Sequence, residues 1–237
     1  MWYVLAVLIG VTLYALYEGR RVRRLIRRVP VAERYTQENG TRSLLVLGDS
    51  TAVGTGARTP HESLAGRLGV ALNASVENYA ENGAITADMK GQLAGTRREH
   101  YDCILIQVGA NDVIQFRSLA VAESELHAVL ESAAQKSAHL IVLTAGKIGN
   151  APLFPRLIAP ILTMRARALR SRFMHTASSC GALYIDLYNV PDPFAEDPDR
   201  YYAPDGLHLT GDGYGFWFDQ TKWALSEKWP DILVHAT

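Results

Sequence analysis

Three short stretches carry residues whose types and spacing suit chemistry. They are Gly48-Asp49-Ser50, Gly109-Ala110-Asn111-Asp112 and Asp205-Gly206-Leu207-His208. A serine hydroxyl is a weak nucleophile until a neighbouring base takes its proton, and histidine has the right pKa for that task near neutrality. The imidazolium so formed needs a carboxylate on its other nitrogen. Asp205 stands three residues before His208, close enough for one tight turn to supply both groups. A developing oxyanion needs donors set in place beforehand. The backbone N–H groups of Ser50 and Gly83 and the side-chain amide of Asn111 are the candidates. Asp49 reads as the organiser of the serine turn and Asp112 as the support of the asparagine loop. None of these stretches alone distinguishes a site from a turn with a capping serine; their combination does.

These residues must be delivered by strand ends. Residues 44–47, LLVL, form a buried strand that runs into Gly48. The stretch YDCILIQV at 101–108 is a second strand, ending at the Gly109 turn, and HLIVLTA at 139–145 and ALYIDL at 182–187 are two more. A short strand at 75–80 precedes Asn82-Gly83. Helical spacing recurs in Leu64, Leu68 and Leu72, in Leu119, Ala122, Leu126, Val129, Leu130 and Ala133, and in Ile158, Ile161, Leu162, Leu169 and Phe173. Thr210 caps a last helix from about Gly211 to Lys228, rich in aromatic residues. Five strands separated by helices predict right-handed crossovers and a parallel sheet covered on both faces, a three-layer α/β/α domain. In such sheets ligands sit at the carboxyl ends of the strands. The loop at 189–204, with Phe194, Tyr201 and Tyr202, is the expected wall of the substrate mouth.

At this point the residues resemble a known family, the SGNH hydrolases, which are the GDSL-like esterases and lipases. The likeness spans residues 43–229. The family's serine, glycine, asparagine and histidine fall on Ser50, Gly83, Asn111 and His208, through GDS, Asn82-Gly83, GAND and DGLH; Thr51 replaces the leucine of the family name. The resemblance implies a flavodoxin-like sheet and hydrolysis of esters through an acyl-enzyme, with no metal or other cofactor. The G-x-S-x-G elbow of another serine hydrolase class is absent around Ser50, and no G-K-[ST] phosphate loop follows Gly48.

The rest of the 237 residues set the context. Six arginines, at 20, 21, 23, 24, 27 and 28, precede Pro30, and Glu18 is the only acid there, so a net charge of zero hides a basic amino end. From residue 31 onward 18 basic and 23 acidic side chains remain, which gives the main domain no electrostatic footprint for nucleic acid. Cys103 and Cys180 suit neither a disulfide framework nor a zinc site. Residues 1–17 are apolar apart from Thr12, with no basic residue before them and no cleavage motif after. We read residues 1–19 as an uncleaved transmembrane anchor helix. The arginines that follow place the catalytic domain on the cytoplasmic side of the cell (inner) membrane.

Val22, Leu25, Ile26 and Val29 then mark a basic amphipathic helix on an anionic leaflet, ended by Pro30. Residues 20–42 are this juxtamembrane segment and its linker, 43–229 the hydrolase domain and 230–237 a tail. The expected activity is that of a membrane-anchored serine esterase acting on small-molecule or lipid esters, lysophospholipid among them. The alternatives are carbohydrate O-deacetylation and ligand binding without turnover. His61, His100, His127, His139, His175 and His235 lack an acid at comparable spacing and read as surface or structural residues.

Overall fold

The computed structural model describes residues 2–26, 29 and 32–233. Its helices and strands follow in the order α1 (Trp2–Ile26), β1 (Arg42–Gly48), α2 (Ser50–Val53), α3 (Leu64–Ala71), β2 (Ala74–Asn78), α4 (Met89–Ala94), β3 (Cys103–Gln107), α5 (Ala110–Ile114), α6 (Leu119–Ala134), β4 (Leu140–Leu143), α7 (Ala159–Ser179), β5 (Leu183–Ile185), α8 (Pro193–Glu196), α9 (Pro198–Tyr201) and α10 (Gly211–Lys228). The five strands pair in parallel in the order β2-β1-β3-β4-β5.

Alternation along the strands makes the three layers. Leu44 and Val46 of β1, Cys103 and Leu105 of β3, and Ile141 and Leu143 of β4 face one side, where Leu64 and Leu68 of α3 and Tyr214, Trp217 and Leu225 of α10 cover them. Leu45, Leu47, Ile104, Ile106, Leu140 and Val142 face the other, against Met89 of α4, Leu126 and Leu130 of α6 and Leu169 and Phe173 of α7. A period of two sends successive side chains to opposite faces, which is why these strands read as unbroken apolar runs rather than as alternating ones. Both cysteines are free thiols, Cys103 buried and Cys180 half-buried.

Helix ends follow local chemistry. The side chains of Ser63, Ser118 and Thr210 accept from the backbone N–H groups of Gly66, Val121 and Gly213 and start α3, α6 and α10. The expected single loop at 189–204 instead holds the two short helices α8 and α9, each with proline at its first position, where a missing N–H is no loss. Ile161 on α7 points outward rather than inward.

The amino end departs from expectation in two ways. First, among the described residues no helix is long and apolar enough to cross a membrane. The apolar run stops at Tyr17, and Glu18, Arg20 and Arg21 continue the same helix, so the anchor and the basic segment are not separate elements. Arginine is a good helix former, so a change from apolar to charged composition does not end a helix. Arg27, Arg28, Pro30 and the end of the tail, residues 234–237, lie outside the described residues.

Second, the linker is part of the domain. Tyr35 is buried in the core, and Gln37 pairs with Val76 on the free edge of β2 through N–H···O bonds of 3.2 and 2.7 Å.

Candidate active site

β1 lies between β2 and β3, so the strand order reverses there and a crevice opens at the carboxyl ends of β1 and β3. Ser50 follows the first strand and Asn111 the second. Gly48 must be glycine: its φ is +152°, and a Cβ there would sit 2.2 Å from the carbonyl oxygen of Gln107. The side chain of Gln92 holds this residue from both sides, accepting from Gly48 N–H at 2.8 Å and donating to Gly48 C=O at 3.0 Å.

Asp49 caps the short α2 helix. Its Oδ1 accepts from Thr51 N–H at 2.9 Å and Thr51 Oγ1 at 2.7 Å. The chain thereby turns sharply and leaves Ser50 half-buried at the first helical position, where its own N–H donates to no described residue. Asp49 is 1% exposed, and burial pushes its carboxyl up to about 6. The Thr51 bonds and the charge of His208 oppose that rise, and Asp112 adds to it. Beside this turn, Gln107 Oε1 is the one buried side-chain polar atom among the described residues with no hydrogen-bond partner.

Asp112 directly follows Asn111 on α5. Its carboxylate is fully buried; Oδ2 accepts from Thr86 N–H at 3.1 Å and Thr86 Oγ1 at 2.8 Å, while Oδ1 pairs with Arg117. That fixes the segment containing Ala84, whose carbonyl accepts from Asn111 Nδ2 at 2.9 Å. One amide hydrogen is thus spent on orientation, and an amide nitrogen carries two.

In the third stretch, Asp205 is 1% exposed and accepts three bonds. Its Oδ1 takes the N–H groups of Leu207 and His208, each at 3.0 Å, and Oδ2 takes His208 Nδ1 at 2.5 Å. Burial raises the carboxyl, but the hydrogen bond and charge of His208 and the two backbone donors together outweigh it and hold Asp205 below the ordinary carboxylate range. An ionised Asp205 makes Nδ1 the protonated nitrogen of a neutral His208 and leaves Nε2 as the free lone pair. Behind both acids lies Tyr214, whose hydroxyl donates to Thr55 C=O at 2.9 Å. Burial first, then the charges of Asp49 and Asp205, push that phenol well above its ordinary value.

Ser50, Asn111 and His208 line one cleft, of about 70 Å³, together with Ala110, Ile114, Ile148, Ala151, Leu187, Leu207 and Trp217. Phe194 and Tyr202 form part of its wall as expected, and Tyr201 stands behind them against Phe194 at 5.1 Å between ring centroids. Trp217 and Phe216 of α10 also reach the cleft. Gly83 does not line it: it is exposed, in a turn with φ +82°. Of the other histidines, His61 stacks edge-on against Tyr35, His139 bonds to Asp102 C=O through Nδ1, and His127 lies beside Glu131; His235 is outside the described residues.

A strand-end serine and an acid-paired histidine thus line one cleft at the carboxyl edge of a parallel sheet, an arrangement that suits a serine-dependent hydrolase. The GDSL-like lipase/acylhydrolase family matches residues 46–216, and the chain belongs to it. No curated protein sequence matches the chain. Solved structures with the same fold include a variant of an acetylxylan esterase from Geobacillus stearothermophilus, 17% identical over 80% of this chain and 96% of that one, with a TM-score of 0.60. An extracellular lipase from Streptomyces rimosus is 15% identical over 78% of this chain and all of that one, TM-score 0.60. Phospholipase A1 from Streptomyces albidoflavus is 16% identical over 78% and 99%, TM-score 0.56.

Proposed function

We propose that the chain hydrolyses acyl esters with Ser50 as nucleophile, His208 as general base and Asp205 as its orienting carboxylate. The observation that carries this reading is the Asp205–His208 pair, turned so that Nε2 is free in a cleft that Ser50 also lines. Ser50 Oγ attacks the carbonyl carbon as its proton passes to Nε2. The imidazolium then gives that proton to the leaving alcohol, and a water repeats the sequence on the acyl-enzyme. Ser50 N–H and Asn111 Nδ2 are the proposed oxyanion donors.

The mainly apolar lining supports a lipid-like acyl group. The small cleft volume favours a second reading, removal of a short acyl group such as acetate from a carbohydrate, the substrate class named for the acetylxylan esterase. The exposed Trp2, Tyr3, Leu5, Ile9, Leu13, Leu16 and Tyr17 of α1, followed by exposed Arg20 and Arg24, support attachment of this helix to a membrane surface, with the arginines drawn to the anionic cytoplasmic leaflet.

The test is labelling of the full chain by a serine-reactive phosphonate, together with a p-nitrophenyl ester series from acetate to palmitate in the presence of membranes. We expect labelling that disappears in Ser50→Ala. An unlabelled, inactive wild type would favour a ligand-binding module instead.

A further inference from the structure

Helix α7 buries Leu162, Ala166, Leu169 and Phe173, so its opposite side should be polar. At its amino end it is not. Leu157, Ile161 and Met164, spaced four and three residues apart, share one side and are 81%, 44% and 66% exposed. Phe116 extends this face. Its ring is half-exposed on a backbone with φ +55°, a conformation that bulky side chains rarely adopt. Arg165, one turn beyond Ile161, places its guanidinium 5.0 Å from the centroid of that ring and donates to Val113 C=O at 3.3 Å, which ties α7 to α5.

The apolar face has cations beside it. Arg156, Arg167, Asn150, Thr163, Met164 and Tyr188 line one shallow depression, and no acid among the described residues lines it. Arg156 and Arg167 are exposed and form no ion pair with a described residue, unlike Arg170 and Arg172 further along α7, which pair with Asp186 and Glu123.

The same segment meets both the cleft and α1. Gly149 packs so closely on α7 that a Cβ there would lie 2.5 Å from Ala159 C=O, and Ile148 and Ala151 on either side of it line the cleft. Leu153 N–H donates to Gly206 C=O at 2.9 Å, within the turn that holds Asp205 and His208. Arg21 of α1 donates to Leu153 C=O at 3.3 Å.

We propose that Phe116, Leu157, Ile161 and Met164, with Arg156 and Arg167, form a second membrane-docking surface that seats on an anionic bilayer and holds the cleft at the lipid surface. Exposed apolar side chains beside unpaired cations suit an anionic headgroup layer over its acyl boundary. The bond from Arg21 makes this face continuous with the helix already read as the membrane attachment. Ester substrate then reaches Ser50 from the bilayer rather than from solution. The proposal rests on the attachment of α1 and not on the chemistry of Ser50.

The test places a polarity-sensitive NBD fluorophore on Met164→Cys in the full chain, in a Cys180→Ser background, and adds vesicles of phosphatidylglycerol and phosphatidylcholine. We expect emission that shifts to the blue and is quenched by spin-labelled lipid. The same fluorophore on Val70→Cys, exposed on α3 on the other side of the sheet, should show neither change. Arg156→Gln/Arg167→Gln should lower vesicle affinity about thirtyfold. A chain that sediments with vesicles while the fluorophore at Met164→Cys stays in water overturns the proposal and leaves this face to a protein partner. Equal quenching at the two labelled positions, or unchanged affinity of the arginine variant, overturns it as well. A chain that does not sediment with vesicles overturns the attachment of α1 too, so the two failures are distinct.

Discussion

Replacing Asp205 by asparagine separates what this carboxylate does for the turn from what it does for the histidine. Two of its three bonds, from Leu207 N–H and His208 N–H, go to Oδ1, and an amide oxygen accepts both. The third, from His208 Nδ1, requires an acceptor on Oδ2. An amide NH2 in that place forces the proton of neutral His208 onto Nε2, where it can no longer receive one from Ser50. The expected loss in kcat is about 10⁴-fold, close to 5 kcal/mol of transition-state stabilisation, with little change in fold. Asp205→Ala should lose activity too, and in addition remove the acceptor of two half-buried backbone donors, at about 1 kcal/mol each.

Initial rates on a short p-nitrophenyl ester and urea midpoints of the three proteins decide the matter. The pH dependence has a defined sign. Because the folded carboxyl lies below the ordinary 3.8, its contribution to stability is complete above that value and is lost as pH falls through the lower folded one. The stability deficit of Asp205→Ala should therefore be full at pH 7 and shrink in acid. An Asp205→Asn enzyme within tenfold of wild-type kcat at pH 7 would refute the reasoning.

Asn111→Ala removes a proposed oxyanion donor and the bond to Ala84 C=O; we expect kcat to fall by about 10²–10³ and stability by about 1 kcal/mol, measured by kinetics and thermal melts. Asp49 has the opposite sign to Asp205. Its folded value, about 6, lies above the ordinary 3.8, so the charged form destabilises the fold fully above pH 6 and the penalty is relieved as pH falls toward 4. Asp49→Asn should thus gain stability at pH 8, on the order of 3 kcal/mol, and progressively less below pH 6; equal melting temperatures at both pH values would count against the buried charge.

The parts of the site that the sequence displays are those with local partners. Asp205 and His208 are three residues apart and Asp49 and Thr51 two, so a tight turn and a cap are written in adjacent letters. The end of β1 is equally plain, because its apolar run LLVL stops at Gly48. Long-range partners left no such mark. Gln92 grips Gly48 across 44 residues and Thr86 holds Asp112 across 26, and neither spacing differs from that of any polar residue in a helix turn. Gly83 shows the converse: Asn-Gly marks a turn reliably but does not reveal which way it faces. The change in composition at Glu18 suggested a boundary, whereas helix propensity ignored it and carried α1 through to Ile26.

The antiparallel pairing of Gln37 with Val76 bears on how this protein can be divided. It occupies backbone groups at the outermost strand that would otherwise invite a neighbouring molecule to add a strand of its own. A fragment begun at Ser43 would keep every residue of the cleft and yet present that bare rim to other copies. Self-association of such a fragment would report on the missing selvage, not on the behaviour of the intact chain.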